Sequence, residues 1–280
     1  MDVLEKIVAN KRREVAAQRA AVAPEMLLAM GAARMSRPVN SMRRALAQSP
    51  SGIIAEFKRR SPSKGLLHAD ARVEEIVPAY ERNGASACSI LTDGDFFGGS
   101  LGDLQRARAQ VCLPLLRKDF IIDEYQLFQA RVMGADAVLL IAATLTRNEC
   151  LQLARTAHAL ALEVLLEIHH ERELTCLHPE IDMLGVNNRN LGTFHTEVEN
   201  SFRLMERIRT EVGAGASSPL LVSESGLLEA ATVVRLRAAG FRGFLIGETF
   251  MKTGRPGEAL AAFISQMNHQ PEDLHEATDN

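Results

Sequence analysis

The sequence predicts an α/β fold: a closed (β/α)8 barrel, eight strands each followed by a helix, with a helical extension at the N-terminus. Three observations predict it. From Gly52 onward, short apolar runs alternate with longer amphipathic ones eight times over. The length of 280 residues suits one such barrel. The doubly wound sheet, which alternates in the same way, carries a glycine fingerprint after its first strand; neither that fingerprint nor a Walker motif occurs here.

The first fifty residues read as helices. Val3, Leu4, Ile7, Val8 and Val15 recur at helical spacing, and Lys11-Arg12-Arg13 reads as the solvated face of that helix. Pro24 opens a second, short helix through Leu28, and Asn40 caps a third over Ser41 to Gln48. The eight strands are expected at Ile53–Lys58, Ala87–Thr92, Leu113–Lys118, Ala137–Ala142, Glu163–Ile168, Met183–Asn187, Leu220–Ser225 and Gly243–Ile246. The helices between them start near Val73, Leu101, Glu124, Arg147, Glu171, Glu197, Leu228 and Pro256. Gly84, Gly134 and Gly240 mark helix ends. Residues 213–219 form a loop, with no linker inside the barrel region. The expected organisation is one domain over 1–268, with the extension at 1–50 and the barrel at 52–268. A polar tail at 269–280 reads as disordered.

Composition narrows the function. A formal net charge of −3 gives no global basic field for nucleic acid or an anionic membrane, so the cations that matter are local. The N-terminus has no signal-peptide pattern, and no run approaches the apolar length of a membrane span. Cys88, Cys112, Cys150 and Cys176 are scattered, without Cys-x-x-Cys or a Cys/His cluster. Reduced thiols in a cytoplasmic protein without a metal site are expected.

Barrels of this kind place their chemistry at the C-terminal ends of the strands. Those ends are polar here. The first strand carries Glu56 and Lys58 on one face, since side chains two apart point the same way. The third ends in Lys118, which shares a face with Leu116, whereas Arg117 and Asp119 point away. The fifth carries Glu167 on the face of Leu165; the sixth carries Asn187 and Arg189 on one face, with Asn188 opposed. Ammonium and carboxylate groups converging on one mouth tune each other for acid–base work. The seventh and eighth strands end in Ser225-Gly226 and Gly247-Glu248, where such barrels bind phosphate through backbone N–H groups. After the second strand, Phe96 or Phe97 either covers an apolar ring or belongs to a plain surface loop.

Several motifs together resemble the indole-3-glycerol phosphate synthase family of tryptophan biosynthesis, from the helical extension to about Ala262. They are Ala55-Glu-Phe-Lys-Arg-Arg-Ser-Pro-Ser-Lys-Gly65, Leu91-Thr-Asp93 with Phe97-x-Gly-Ser100, Leu116-Arg-Lys-Asp-Phe120, Leu166-Glu-Ile-His169, Gly185-Val-Asn-Asn-Arg-Asn-Leu191, Ser223-Glu-Ser-Gly226 and Leu245-Ile-Gly-Glu248. The resemblance implies a carboxy-lyase. It converts 1-(2-carboxyphenylamino)-1-deoxyribulose 5-phosphate into indole-3-glycerol phosphate, CO2 and water, with no metal or organic cofactor. By resemblance, Lys118 is the general acid at the carbonyl oxygen, and Glu167 serves the later proton transfers with Glu56 and Asn187. Lys58 is a substrate-anion ligand that also has a place in dehydration. Ser61, Gly226, Gly247 and the backbone of Glu248 hold phosphate; Ser225, Phe97 and Arg189 line the site. The partners implied are the phosphorylated small molecule and, weakly, other enzymes of the pathway. The monofunctional form is expected rather than a fusion with the preceding isomerase.

The departures are Phe57 for a common aliphatic residue, Asn190 for a common Asp, and Glu248 for a small residue in some members. The side chain of Glu248 is expected to turn away from phosphate. Two other readings use the same residues. A Schiff-base lyase or amino-sugar isomerase of similar fold would use a lysine as nucleophile or act on a related sugar phosphate. A non-catalytic relative would lack at least one of Glu56, Lys58, Lys118, Glu167 and Asn187; all five are present.

Overall fold

The computed structural model describes residues 3–190, 192, 195–212 and 218–269. Most of the loop expected at 213–219, the tail from 270 and Leu191 lie outside the described residues.

Three helices lead the chain: α1 (Val3–Ala21), α2 (Pro24–Met35) and α3 (Met42–Gln48). Then β1 (Ile53–Phe57) passes through a two-stranded ribbon, β2 (Arg60–Ser61) and β3 (Gly65–Leu66), into α4 (Val73–Arg82). The alternation continues with β4 (Ala87–Leu91), α5 (Leu101–Arg108), β5 (Leu115–Lys118), α6 (Glu124–Met133), β6 (Ala137–Ile141) and α7 (Arg147–Ala159). It ends with β7 (Glu163–Ile168), β8 (Met183–Asn187), α8 (Glu199–Val212), β9 (Leu220–Glu224), α9 (Ala230–Ala239), β10 (Gly243–Ile246), α10 (Glu248–Met251) and α11 (Pro256–Asn268). Eight strands close into a barrel in the order β1-β10-β9-β8-β7-β6-β5-β4, every pair parallel, with β4 returning to β1.

Strand parity builds two cores. Ile54, Ala87, Leu116, Leu139, Leu165, Met183, Val222 and Leu245 fill the barrel. Ile53, Cys88, Leu115, Val138, Val164, Leu184 and Phe244 face outward under the helices. Local chemistry sets the helix ends: Thr146 and Glu149 form a reciprocal cap at the start of α7, and Gly134 closes α6 at φ 95°.

The extension packs against both ends of the barrel. At the bottom, the Ser41 hydroxyl donates to Glu163 at the start of β7, and Leu46 lies against Gly243 at the start of β10. At the top, α1 crosses the strand ends and inserts Ile7 beside the barrel core.

Several expectations change. The Lys11 side chain is 1% exposed, held by carboxylates of the barrel; only Arg12 and Arg13 of that run are solvated. The second helix extends to Met35 because it packs on α6, where Gly31 lies so close to Val132 that a Cβ would stand 2.4 Å from its methyl. Ser41, not Asn40, caps α3, accepting from the Arg44 N–H at 3.0 Å; Asn40 instead donates to the Cys112 carbonyl. The third strand begins at Leu115, past Pro114, which has no N–H to donate. Strand ends expected at Lys58, Thr92, Ala142 and Ser225 fall one residue shorter. The helix expected from Glu171 is a 3-10 turn, Glu171–Cys176, stopped ahead of Pro179, whose ring disfavours helix in the residue before it. The helices expected from Glu197 and Leu228 start two residues later.

Candidate active site

The polar strand ends do converge. Lys118 at the end of β5 reaches across to two carboxylates, Glu167 Oε2 on β7 at 3.2 Å and Glu224 Oε2 on β9 at 3.7 Å. Asn187 at the end of β8 stands opposite Glu224 in register; its Oδ1 accepts from the Arg189 N–H, and its amide favours the charged form of Glu167. On β1, Glu56 Oε1 and Lys58 Nζ are 2.6 Å apart. Asn188 points the other way, toward Ser201 and Ser223, as parity requires.

Glu224 was not assigned from sequence, and the signal was there. It shares a face with Val222, which fills the barrel, just as Glu167 shares one with Leu165. Gly185 on the facing strand leaves it room: a Cβ there would stand 2.3 Å from Glu224 Oε1.

Electrostatics sort these groups. Burial alone would lower the Lys118 ammonium, but Glu167, Glu224 and Glu56 outweigh it and hold the proton well above the usual lysine range. Burial would raise Glu167, yet Lys118 and His169 keep it below the usual carboxylate range. Glu224 goes the other way. Burial and the charge of Glu167 push it well above the usual carboxylate range, against Lys118. Two neighbouring carboxyls with opposite shifts form an acid and a base.

A cavity of about 300 Å³ opens beside this cluster, lined by Glu56, Lys58, Lys64, Arg189, Ser225, Gly226, Gly247 and Glu248 among others. Ser225 adopts φ 67°, a left-handed turn that carries the chain from β9 into Gly226. Gly247 passes under Glu56, where a Cβ would meet Oε1 at 2.4 Å. The Glu248 side chain does not turn away. Its carboxylate lies 3.5 Å from Arg189 Nη2 and 3.8 Å from Lys64 Nζ.

Ser61 sits on the ribbon, nearly buried and 3.5 Å from the Ser63 hydroxyl, outside the cavity lining; Lys64 takes the place on the wall. Phe97 is half-buried, its ring tilted against Phe120 with centroids 6.1 Å apart, above the barrel core. Among the described residues, no cluster of three or more His, Cys, Asp or Glu is placed to hold a metal ion. No described helix is long and apolar enough to cross a membrane.

A closed parallel barrel with a lysine between two carboxyls, a second Lys–Glu pair and a glycine-rich cavity at the same end defines a (β/α)8-barrel enzyme of acid–base chemistry. The family model of indole-3-glycerol phosphate synthase matches residues 4–263, and the chain belongs to that family. A relative named indole-3-glycerol phosphate synthase from Bacteroides thetaiotaomicron is 59% identical over 264 residues, covering 94% of this chain and 98% of its own. A protein of the same name from Neisseria gonorrhoeae is 46% identical over 254 residues, covering 90% and 95%. Among solved structures, a mutant tryptophan synthase alpha-subunit from Pyrococcus furiosus superposes with a TM-score of 0.59 at 12% identity. It covers 78% of this chain and 98% of that one, a likeness of fold.

Proposed function

We propose that this mouth carries out the carboxy-lyase reaction of the family, turning 1-(2-carboxyphenylamino)-1-deoxyribulose 5-phosphate into indole-3-glycerol phosphate, CO2 and water. The observation that carries the reading is Lys118, held charged between Glu167 and Glu224.

As the aromatic carbon attacks the ketone, negative charge develops on the ketone oxygen, and Lys118 donates its proton there. CO2 then leaves and the aromatic ring is restored. Dehydration needs an acid for the hydroxyl and a base for the ring proton. Glu167, ionised and oriented by Asn187, is the base, with Glu56 in support; Lys58 binds a substrate anion and shares in the dehydration. Glu224, pushed above the usual carboxylate range, is the neighbour that takes a proton more readily than Glu167. Phe97 covers the aromatic ring. The phosphate belongs in the cavity, against Gly226, Gly247, Ser225 and Arg189, with the Glu248 backbone N–H at the start of α10. Ser61 joins it when the ribbon folds inward.

A Schiff-base reading is weakened by the same electrostatics, since a lysine held charged is a poor nucleophile. A cytoplasmic location is supported by four free cysteines. Weak association with other tryptophan-pathway enzymes is part of the proposal and is tested by co-sedimentation with them.

The test is to add the carboxyphenylamino-deoxyribulose phosphate and follow indole absorbance and fluorescence. Lys118→Ala should lose most turnover while keeping the wild-type circular dichroism spectrum. Indole formation at the wild-type rate by that variant, or lysine labelling on borohydride trapping with substrate, rejects the assignment.

A further inference from the structure

The proposed reaction consumes a proton. Its substrate enters with an ionised benzoate. CO2 departs neutral, taking one carbon and two oxygens, and the hydroxyl departs as water. Written with the carboxylate charged, substrate plus one H+ gives indole product, CO2 and H2O, the phosphate unchanged. One proton per turnover must therefore reach acid–base groups that are closed to solvent: Glu167 is 2% exposed and Glu224 1%. Bound substrate occupies the mouth above them.

A second way in runs through a residue the reaction scheme leaves unused. His169 lies two residues past Glu167, at the end of β7, and is 4% exposed. Its Nε2 stands 3.3 Å from Glu167 Oε1, and its Nδ1 stands 3.7 Å from Glu173 Oε2 on the 3-10 turn. Neither ring nitrogen meets hydrogen-bond geometry among the described residues; each faces a carboxylate. Glu173 is fixed in place, because its Oε2 accepts from the His169 backbone N–H at 2.7 Å.

From α8, Asn200 donates to the His169 carbonyl; from β8 comes Asn187; Lys118 lies beyond Glu167. His169 also lines a cavity of about 140 Å³ that runs past Asn187 and Asn200 to the exposed His170 and Arg203. The same cavity also carries the exposed His195 and Glu197 and the cations Arg189 and Arg203, while the groups packed on the ring itself are neutral or already named. The imidazole thus stands between the buried base and a solvent-accessible space.

We propose that His169 is a proton relay that recharges Lys118 through Glu167 from this side cavity. Between ring closure and dehydration, Nε2–H passes its proton to Glu167 Oε1, Glu167 passes one from Oε2 to Lys118 Nζ and is ionised again, and Nδ1 takes one from solvent in the cavity. The ring is left as the Nδ1–H tautomer, proton exchange with the cavity returns it to the Nε2–H form, and one solvent proton has entered the site. His169 does not touch substrate; it acts through Glu167, and the inference rests on the acid–base reading of that residue. Imidazole suits the task because it gains and loses a proton near neutral pH and has two separate ring nitrogens.

The experiment compares His169→Asn, with His169→Gln as the second variant should the first fail to fold, in a buffer that cannot enter the cavity. The expected result is a KM within about twofold of wild type and a kcat lowered about tenfold. Added imidazole or 4-methylimidazole should restore kcat in a concentration-dependent way, following the pKa of the added base, with a larger solvent isotope effect than wild type. A wild-type kcat overturns the relay. A lowered kcat that ignores added bases and leaves the pH profile unmoved also overturns it and assigns His169 to packing. Glu167→Gln separates the two layers: if it turns over normally, the reading of the site fails. If it is inactive while His169→Asn is unaffected, the relay alone fails.

Discussion

The Lys11 ammonium lies 2.9 Å from Asp119 Oδ1, and Asp119 is the residue that follows Lys118. The same ammonium stands 3.0 Å from Asp93 Oδ2 and 2.7 Å from Glu14. Asp93 in turn organises the loop after β4, its Oδ1 accepting from the Phe96 N–H and its carbonyl from the Gly99 N–H. One buried charge of the extension therefore ties α1 to the strand that ends in Lys118 and to the loop that carries Phe97. Burial would lower Lys11, but Asp119 and Asp93 outweigh it and keep it charged.

Lys11→Met should therefore weaken both fold and substrate binding. It leaves buried Asp93 without its counter-ion, a loss on the order of 3 kcal/mol for a broken buried pair. The expected outcome is a lower urea midpoint and a raised KM. Asp93→Asn added to Lys11→Met should recover part of both, because the orphaned charge is gone. A double variant no better than the single one would count against this coupling.

Acid stability follows from the same cluster. Asp119 is held at about 2; burial would raise it, and Arg117 and Lys11 outweigh burial. The folded state thus binds this proton less tightly than the unfolded chain. The contribution, on the order of 2 kcal/mol, is fully present above the unfolded value near pH 4 and is lost as pH falls toward 2. Urea unfolding followed from pH 7 to pH 2 should show Asp119→Asn less stable than wild type at neutral pH and less steeply weakened by acid. Equal steepness would place the acid loss elsewhere.

The barrel and most of its mouth were legible because both are local. Period-two alternation marks the strands, and the same alternation tells which residue at a strand end faces inward, as with Leu116 and Lys118. Lys11 was illegible for the opposite reason. In sequence it sits in a basic run on an amphipathic helix, and its partners Asp93 and Asp119 lie more than eighty and more than a hundred residues away. Glu224 was legible by parity and went unassigned because its motif read as a phosphate loop. The turn from Glu171 looked helical by composition; what makes it a 3-10 turn is Pro179 downstream and the grip of Glu173 on the His169 N–H.

Glu167 and Glu224 should respond differently to the same substitution. Glu167 is ionised, so Glu167→Gln removes a working base and should lower kcat by about 10² to 10⁴. Glu224 is pushed toward its neutral form, which Glu224→Gln copies, so this change should cost less than about tenfold near pH 7. As pH rises, wild-type Glu224 loses its proton and adds negative charge beside Glu167; glutamine does not. That charge helps hold the Lys118 proton, so the alkaline limb of kcat should move to lower pH in Glu224→Gln. Equal losses in the two variants at pH 7 would refute the assignment of the protonated partner.

Glu248 occupies the ground a phosphate would take. Its carboxylate stands beside Arg189 and Lys64 on the wall of the cavity, while the N–H it supplies at the start of α10 belongs to the backbone. Glu248→Ala keeps that N–H, frees two cations and removes a like charge. One charge pair at this separation and partial exposure is worth about 1 kcal/mol, or roughly fivefold in affinity. The variant should bind substrate more tightly, with KM reduced severalfold and inorganic phosphate a stronger competitive inhibitor, and the gain should shrink in high salt. Glu248→Gln, which keeps the shape and loses the charge, should show the same direction. A raised KM in both would mean that the carboxylate holds Arg189 and Lys64 in the positions phosphate needs, and the competition argument would be wrong.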